Sequence, residues 1–156
     1  MKTIKKTLAL LCILTFLLSC EKKEDPVVVN ETSTIPTTNL GRENTYLGCM
    51  EISTRETTIE VWDHGQIDND IVSIIANGEV IVDQQVLDGP FNPISTIYNF
   101  GSNGFNYVTL YAHNLGDISP NTCTIAINGV EFILEANLDA NGSIDVVVGG
   151  YGVSCN

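Results

Sequence analysis

The chain has 156 residues and sets 7 basic against 19 acidic side chains, a formal net charge of −12. An acidic surface of that strength repels nucleic acid and anionic lipid, whose binding rests on Lys and Arg neutralising phosphates. It leaves cations, basic protein patches and uncharged ligands such as glycans as fitting partners.

Lys2, Lys5 and Lys6 precede an apolar run from Leu8 to Leu18. Those residues fall short of the roughly 20 that cross a bilayer core, so the run is expected to be the h-region of a signal peptide. Leu17-Leu18-Ser19-Cys20 resembles the bacterial lipobox. The resemblance implies removal of residues 1–19, acylation of the Cys20 sulfur by palmitate-type chains, and anchoring in the outer membrane. Each buried methylene adds about 0.8 kcal/mol and one chain alone holds only marginally, so several chains on one residue make a membrane anchor. Glu21-Lys22-Lys23-Glu24-Asp25 is similar to a short lysine-plus-acid export signal, which implies display on the cell exterior. The alternative is an ordinary charged tether.

From Pro26 to Thr45 the chain is Val, Asn, Thr, Ser and Pro with no sustained period of 2 or 3.6, so residues 20–45 are expected to form a lipid-anchored flexible linker. Such a chain has an r.m.s. reach of roughly 25 to 30 Å. A second reading makes Val27 to Val29 an edge strand of the domain.

Residues 46–156 then form one domain, with fourteen carboxylates and Arg55 as the sole base. Its pattern is all-β. Alternating runs predict strands at Ile59–Asp63, Ile71–Ala76, Glu79–Gln84, Ile94–Phe100, Tyr107–His113, Thr122–Asn128, Val130–Glu135 and Ser143–Val148. Asn77-Gly78 and Asn128-Gly129 suit two-residue hairpin turns, which need positive φ at both central positions. Pro90, Pro93 and Pro120 fall between runs, where a missing N–H does no harm. About eight short strands with this hairpin habit predict an antiparallel two-sheet sandwich, Ig-like or jelly-roll in connectivity.

Alternation assigns inward positions to Val108, Leu110, Ala112, Cys123, Ile125, Ile127, Val130, Phe132, Leu134, Ile144, Val146 and Val148. Tyr107, Thr109, Tyr111 and His113 on one strand, and Thr58, Glu60 and Trp62 on another, are then expected to face outward. Trp62, Tyr107 and Tyr111 are the candidate ligand-binding aromatics, since an aromatic plane stacks on apolar sugar faces while its polar tip stays wet. The plainer expectation, preferred here, is that they cover the core edge and neighbouring strands.

Cys49, Cys123 and Cys155 follow the anchor cysteine in a disulfide-permitting compartment. Cys123 keeps register with Ile125 and Ile127 and is expected to be a buried free thiol. Cys49 and Cys155 are the candidate pair; a loop of over a hundred residues closed between them contributes roughly 4 to 5 kcal/mol in the entropy model.

The most chemical segment is Trp62-Asp63-His64-Gly65-Gln66-Ile67-Asp68-Asn69-Asp70. Calcium takes six to eight hard oxygens, and Asp63, Asp68, Asp70 and the carbonyl or amide of Asn69 can supply about half from one turn. Asp117 and the Asp139-Ala140-Asn141-Gly142 turn are further contributors if they lie at the same end. Neither stretch has the glycine offset of an EF-hand. Asp and Asn equally build Asx-turns in any β protein, and that reading is preferred over a bound calcium ion.

Ile59-Glu60-Val61-Trp62-Asp63-His64-Gly65-Gln66-Ile67-Asp68-Asn69-Asp70, Asn77-Gly78-Glu79, Tyr111-Ala112-His113-Asn114-Leu115-Gly116 and Pro120-Asn121-Thr122 together resemble a recurrent secreted bacterial β-domain. Its pattern is a Trp-Asp-Asn-Gly-x-x-Asp-Gly-Asp hairpin and a Tyr-Ala-x-Asn-Leu-Gly strand end with Pro-Asn-Thr. His64 stands where the pattern often has Asn, and Asn69 where it often has Gly. The resemblance implies an all-β extracellular module and carries over no established activity.

Catalysis is not expected. Only His64 and His113 offer imidazoles, the nucleophile-elbow and zinc-protease motifs are absent, and the histidines and thiols lack zinc-ligand spacing. A glycoside-acting acid pair such as Asp63 and Asp68 is the least favoured reading. Two functions remain: a surface-displayed binding or adhesion module for a glycan or envelope protein, or a structural accessory subunit of an outer-membrane assembly with no small ligand.

Overall fold

The computed structural model describes residues 26–155. The expected signal peptide, the expected anchor Cys20 and the charged run to Asp25 lie outside the described residues.

Alternating runs become strands throughout: β1 (Val29–Asn30), β2 (Thr38–Asn39), β3 (Arg42–Ile52), β4 (Glu56–Asp63), β5 (Ile71–Ala76), β6 (Glu79–Val86), β7 (Ile94–Asn99), β8 (Asn103–Ala112), β9 (Asn121–Ile127), β10 (Val130–Ala136) and β11 (Ala140–Val148). Seven of them form one sheet in the order β2-β3-β11-β8-β5-β6, with β1 parallel against the start of β8. The other sheet runs β10-β9-β4-β7. All eight expected strands are present, and the fold is an all-β sandwich.

The two inner faces meet in a core that includes Ile59, Val61, Ile74, Leu110, Ile125, Leu134 and Ile144, all fully buried. Each such side chain stabilises the fold by about 1.5–3 kcal/mol relative to exposure. Asn77-Gly78 and Asn128-Gly129 close β5–β6 and β9–β10, with positive φ at all four positions. Val130 departs from its buried expectation: although its ladder partner Ile127 is fully buried, it opens the edge strand β10 directly after the Gly129 turn and is exposed.

The N-terminal segment departs most from expectation. Instead of hanging free, residues 29–45 supply β1, β2 and the start of β3, and they strap the outer face of the larger sheet. Asn30 Nδ2 donates to the Phe105 carbonyl at 3.0 Å, Ser33 Oγ to Asp145 Oδ1 at 2.8 Å, and Asn39 Nδ2 to Thr109 Oγ1 at 3.1 Å. Thr109 in turn shares a 2.7 Å hydrogen bond with Ser143 Oγ. The outer faces of β8 and β11 carry hydroxyls and a carboxylate that need partners once covered, and the Asn/Ser/Thr composition that reads as linker supplies them. The folded unit therefore begins near Val29, not Tyr46.

β3 was hidden by weak alternation and by Gly48. Its partner β11 slips register beside that residue, and a Cβ at Gly48 would stand 2.7 Å from the Phe132 ring. β3 pairs parallel with β11, so the first long strand and the last lie side by side. Cys155, beyond β11, is disulfide-bonded to Cys49 on β3, with Cα atoms 5.6 Å apart. Cys123 is a buried free thiol.

Candidate metal centre

β4 sends Ile59 and Val61 into the core, and the same alternation points Asp63 inward at the strand's last position. The following loop, 64–70, brings Asp68 and Asp70 back to it. The three side chains are only 4, 7 and 1 % exposed, and one carboxylate oxygen from each lies within 4.8 Å of the other two.

Backbone amides hold each carboxylate by one oxygen. The Asp68 N–H donates to Asp63 Oδ2 at 3.3 Å, the Ile118 N–H to Asp68 Oδ2 at 2.7 Å, and the Thr122 N–H to Asp70 Oδ2 at 3.2 Å. Asp70 Oδ1 is buried and accepts no hydrogen bond from any described residue. The arginines among the described residues are engaged elsewhere: Arg42 with the Ala112 and Asn137 carbonyls, Arg55 with the Gly101 carbonyl and Tyr151.

Burial pushes the Asp70 carboxyl up to about 6; the Thr122 N–H opposes that rise, and repulsion from Asp68 and Asp63 adds to it. Asp63 is also raised, chiefly by burial and against the pull of the Asp68 N–H. Converging acids without a cationic side chain are costly to ionise, and a divalent ion relieves that cost directly.

The β8–β9 loop completes the walls. Asn114 Oδ1 accepts the Ile71 N–H at 2.7 Å and its Nδ2 donates to the Asn69 carbonyl at 2.7 Å, clamping the acidic loop. Gly116, at φ 57°, lies against the carboxylates: a Cβ there would sit 2.6 Å from both Asp68 oxygens and from Asp70 Oδ1. Beside the three acids a cleft of about 230 Å³ opens, walled also by His64, Gln66, Ile118, Ser119 and Pro120.

No family model, curated protein or solved structure matches this chain. The site therefore rests on its own geometry.

Of the sequence candidates, Asp63, Asp68 and Asp70 converge. Asn69 does not join them as a ligand: it is exposed, its carbonyl is taken by Asn114, and its contribution is a left-handed backbone at φ 66°. That conformation explains why glycine fits the same place, and Asn is among the few other residues that adopt it readily. Asp117 lies in the adjoining loop, its N–H bonded to the Asp68 carbonyl at 3.0 Å, but it stands outside the carboxylate cluster. Asp139 and Asn141 serve the β10–β11 connection and the strap instead.

The three candidate aromatics do not share one face: Trp62 lies on the smaller sheet, Tyr107 and Tyr111 on the larger. Tyr107 is buried because the N-terminal segment covers its face of β8, and Tyr111 lies beneath the Arg42 guanidinium, 3.9 Å from the ring centroid. Trp62 is half-buried and alternates to the face opposite Asp63. Composition alone pointed to neither Asn114 nor Gly116; both lie in the Tyr-Ala-x-Asn-Leu-Gly stretch that the resemblance singled out.

Proposed function

We propose that this protein is a non-catalytic, lipid-anchored binding module of the outer membrane, facing the cell exterior, whose functional end is organised by a calcium ion on Asp63, Asp68 and Asp70. The observation that carries the reading is Asp70 Oδ1, a buried carboxylate oxygen with no donor among the described residues, set among two further buried carboxylates. All donors are oxygens, which suits a hard cation, and the open loop geometry suits calcium better than the strict octahedron of magnesium. Convergence on one point also speaks against an acid pair flanking a sugar bond, where two carboxyls stand roughly 5 to 9.5 Å apart with the substrate between them.

The strap supports an outward orientation. β1 pairs with Asn103 and Gly104 at the start of β8, whereas the acidic cluster lies beyond its far end. With Cys20 as the anchor, the chain enters at the pole opposite the ion, about 30 Å away for a strand of ten residues.

Calorimetric titration with calcium and thermal melts test the reading. Stoichiometric binding and a melting temperature raised by several degrees in millimolar calcium are expected, both abolished in Asp68→Ala. A flat titration together with an unmoved melt overturns it.

A further inference from the structure

Resting on that cation reading, we infer that the ion is itself the contact point for a neutral glycan, whose vicinal hydroxyls complete its coordination in the cleft. The coordination count leads there. One oxygen from each of the three carboxylates converges on the shared space, while backbone N–H groups at Asp68, Ile118 and Thr122 hold the carboxylates in place. Calcium takes six to eight oxygens, so the three acids fill about half of its sphere and the rest must come from the cleft side.

Charge selects what fills it. Three carboxylates outweigh a divalent ion, and the wider domain is strongly acidic, so a second anion is repelled and neutral oxygen donors are favoured. A sugar's adjacent hydroxyls are such donors and offer two at once.

Shape agrees. The cleft's volume of about 230 Å³ lies below the roughly 300–1,000 Å³ of pockets for drug-sized ligands, which suits one ring or a chain end. Gln66 and Ser119 bring polar side chains to its wall, and Ile118 and Pro120 bring apolar surface. At the same end Phe91 stands fully exposed in the Gly89–Asn92 turn, where Gly89 packs against Ile67; an exposed aromatic plane there is suited to stacking on the apolar face of a sugar.

The test is an array of neutral and uronate-containing glycans probed with the full-length mature protein in detergent, in calcium and in EDTA, beside calorimetry with calcium alone. Retention of neutral glycans bearing a vicinal diol, lost in EDTA and weakened severalfold in Gln66→Ala at saturating calcium, is the expected result. Calcium heat with no neutral glycan retained overturns this inference and leaves the cation reading standing. Absence of calcium heat removes the cation reading itself. Retention that survives EDTA, or that Gln66→Ala leaves unchanged, overturns the contact through the ion and cleft.

Discussion

Asp70 Oδ1 and Gly116 share one small space: any side chain at position 116 would begin 2.6 Å from that oxygen. The glycine is thus required twice, by its φ of 57° and by the approach of the carboxylates. Gly116→Ala is expected to weaken calcium binding by at least about tenfold and to cost about 1–3 kcal/mol of stability through backbone strain. Gly101→Ala, where an added Cβ meets no atom within 4 Å, is the control and should move stability by no more than about 0.5 kcal/mol. Calcium titration and chemical denaturation of both variants check the pair; equal calcium affinity in the two refutes the crowding argument.

Asp70→Asn should change the sign of its effect with the buffer. In EDTA the substitution removes a buried charge from two like-charged neighbours, so the variant is expected to match or exceed the wild type, by about 1 kcal/mol. In calcium the wild type gains the binding free energy and the variant does not. Melts in the two buffers decide it, and an equal loss in both would assign Asp70 to ordinary hydrogen bonding.

The pH dependence follows from the same group. An acid whose folded pKa is raised stabilises the fold while protonated; that contribution is complete below its ordinary value near 3.8 and is lost as pH rises through about 6. Asp63, raised mainly by burial, and Asp145, raised by burial beneath the strap against the Ser33 hydrogen bond, act with the same sign. Metal-free protein is therefore expected to lose stability from about pH 4 to about pH 6. Calcium, which needs deprotonated ligands, should gain effect over the same interval. Asp88, held low by the Asn92 amide and the Gly89 N–H, acts with the opposite sign and offsets part of the loss at the acidic end of that interval. Urea denaturation across this range, with and without EDTA, measures both slopes.

Period-two alternation made the eight sandwich strands legible, because each buries one face and a slip of one residue would expose the whole apolar set. The convergence of Asp63, Asp68 and Asp70 was legible as an inventory but not as a site. What brings them together is the Asn114 clamp and the close approach of Gly116, contacts between segments some fifty residues apart that no local pattern encodes. The strap was illegible for a related reason. Asn30, Ser33 and Asn39 are the composition of a free linker, and only hydroxyls and a carboxylate on a distant sheet face convert them into partners. Tyr107 takes the outer face that alternation assigns it yet is buried, since alternation tells which face a residue takes and not whether another segment covers it.

The Cys49–Cys155 bond closes a separation of 106 residues and ties the C-terminal tail to β3. In the loop-entropy model its loss costs about 4–5 kcal/mol. Paired Cys49→Ser and Cys155→Ser substitutions should lower the denaturant midpoint accordingly and leave calcium affinity unchanged, because the bond lies away from the acidic loops. Reducing agent on the wild type should reproduce the stability loss, since the remaining cysteine of the described residues, Cys123, is a buried free thiol whose pKa burial has pushed upward.

Asn141 offers the sharpest test of the strap. Its Nδ2 faces the Asn39 carbonyl, the Arg42 carbonyl and Asn44 Oδ1 at 3.0 to 3.3 Å, so one buried amide joins β11 to the β2–β3 turn. Asn141→Ala leaves those acceptors without their donor in a site that is 1 % exposed, which costs about 1–3 kcal/mol. The loosening should be local. Amide exchange at residues 38–44 is expected to accelerate and limited proteolysis to open the chain between Val29 and Asn39. Wild-type protein cut as readily in that interval as the variant would show that the N-terminal segment is a tether after all.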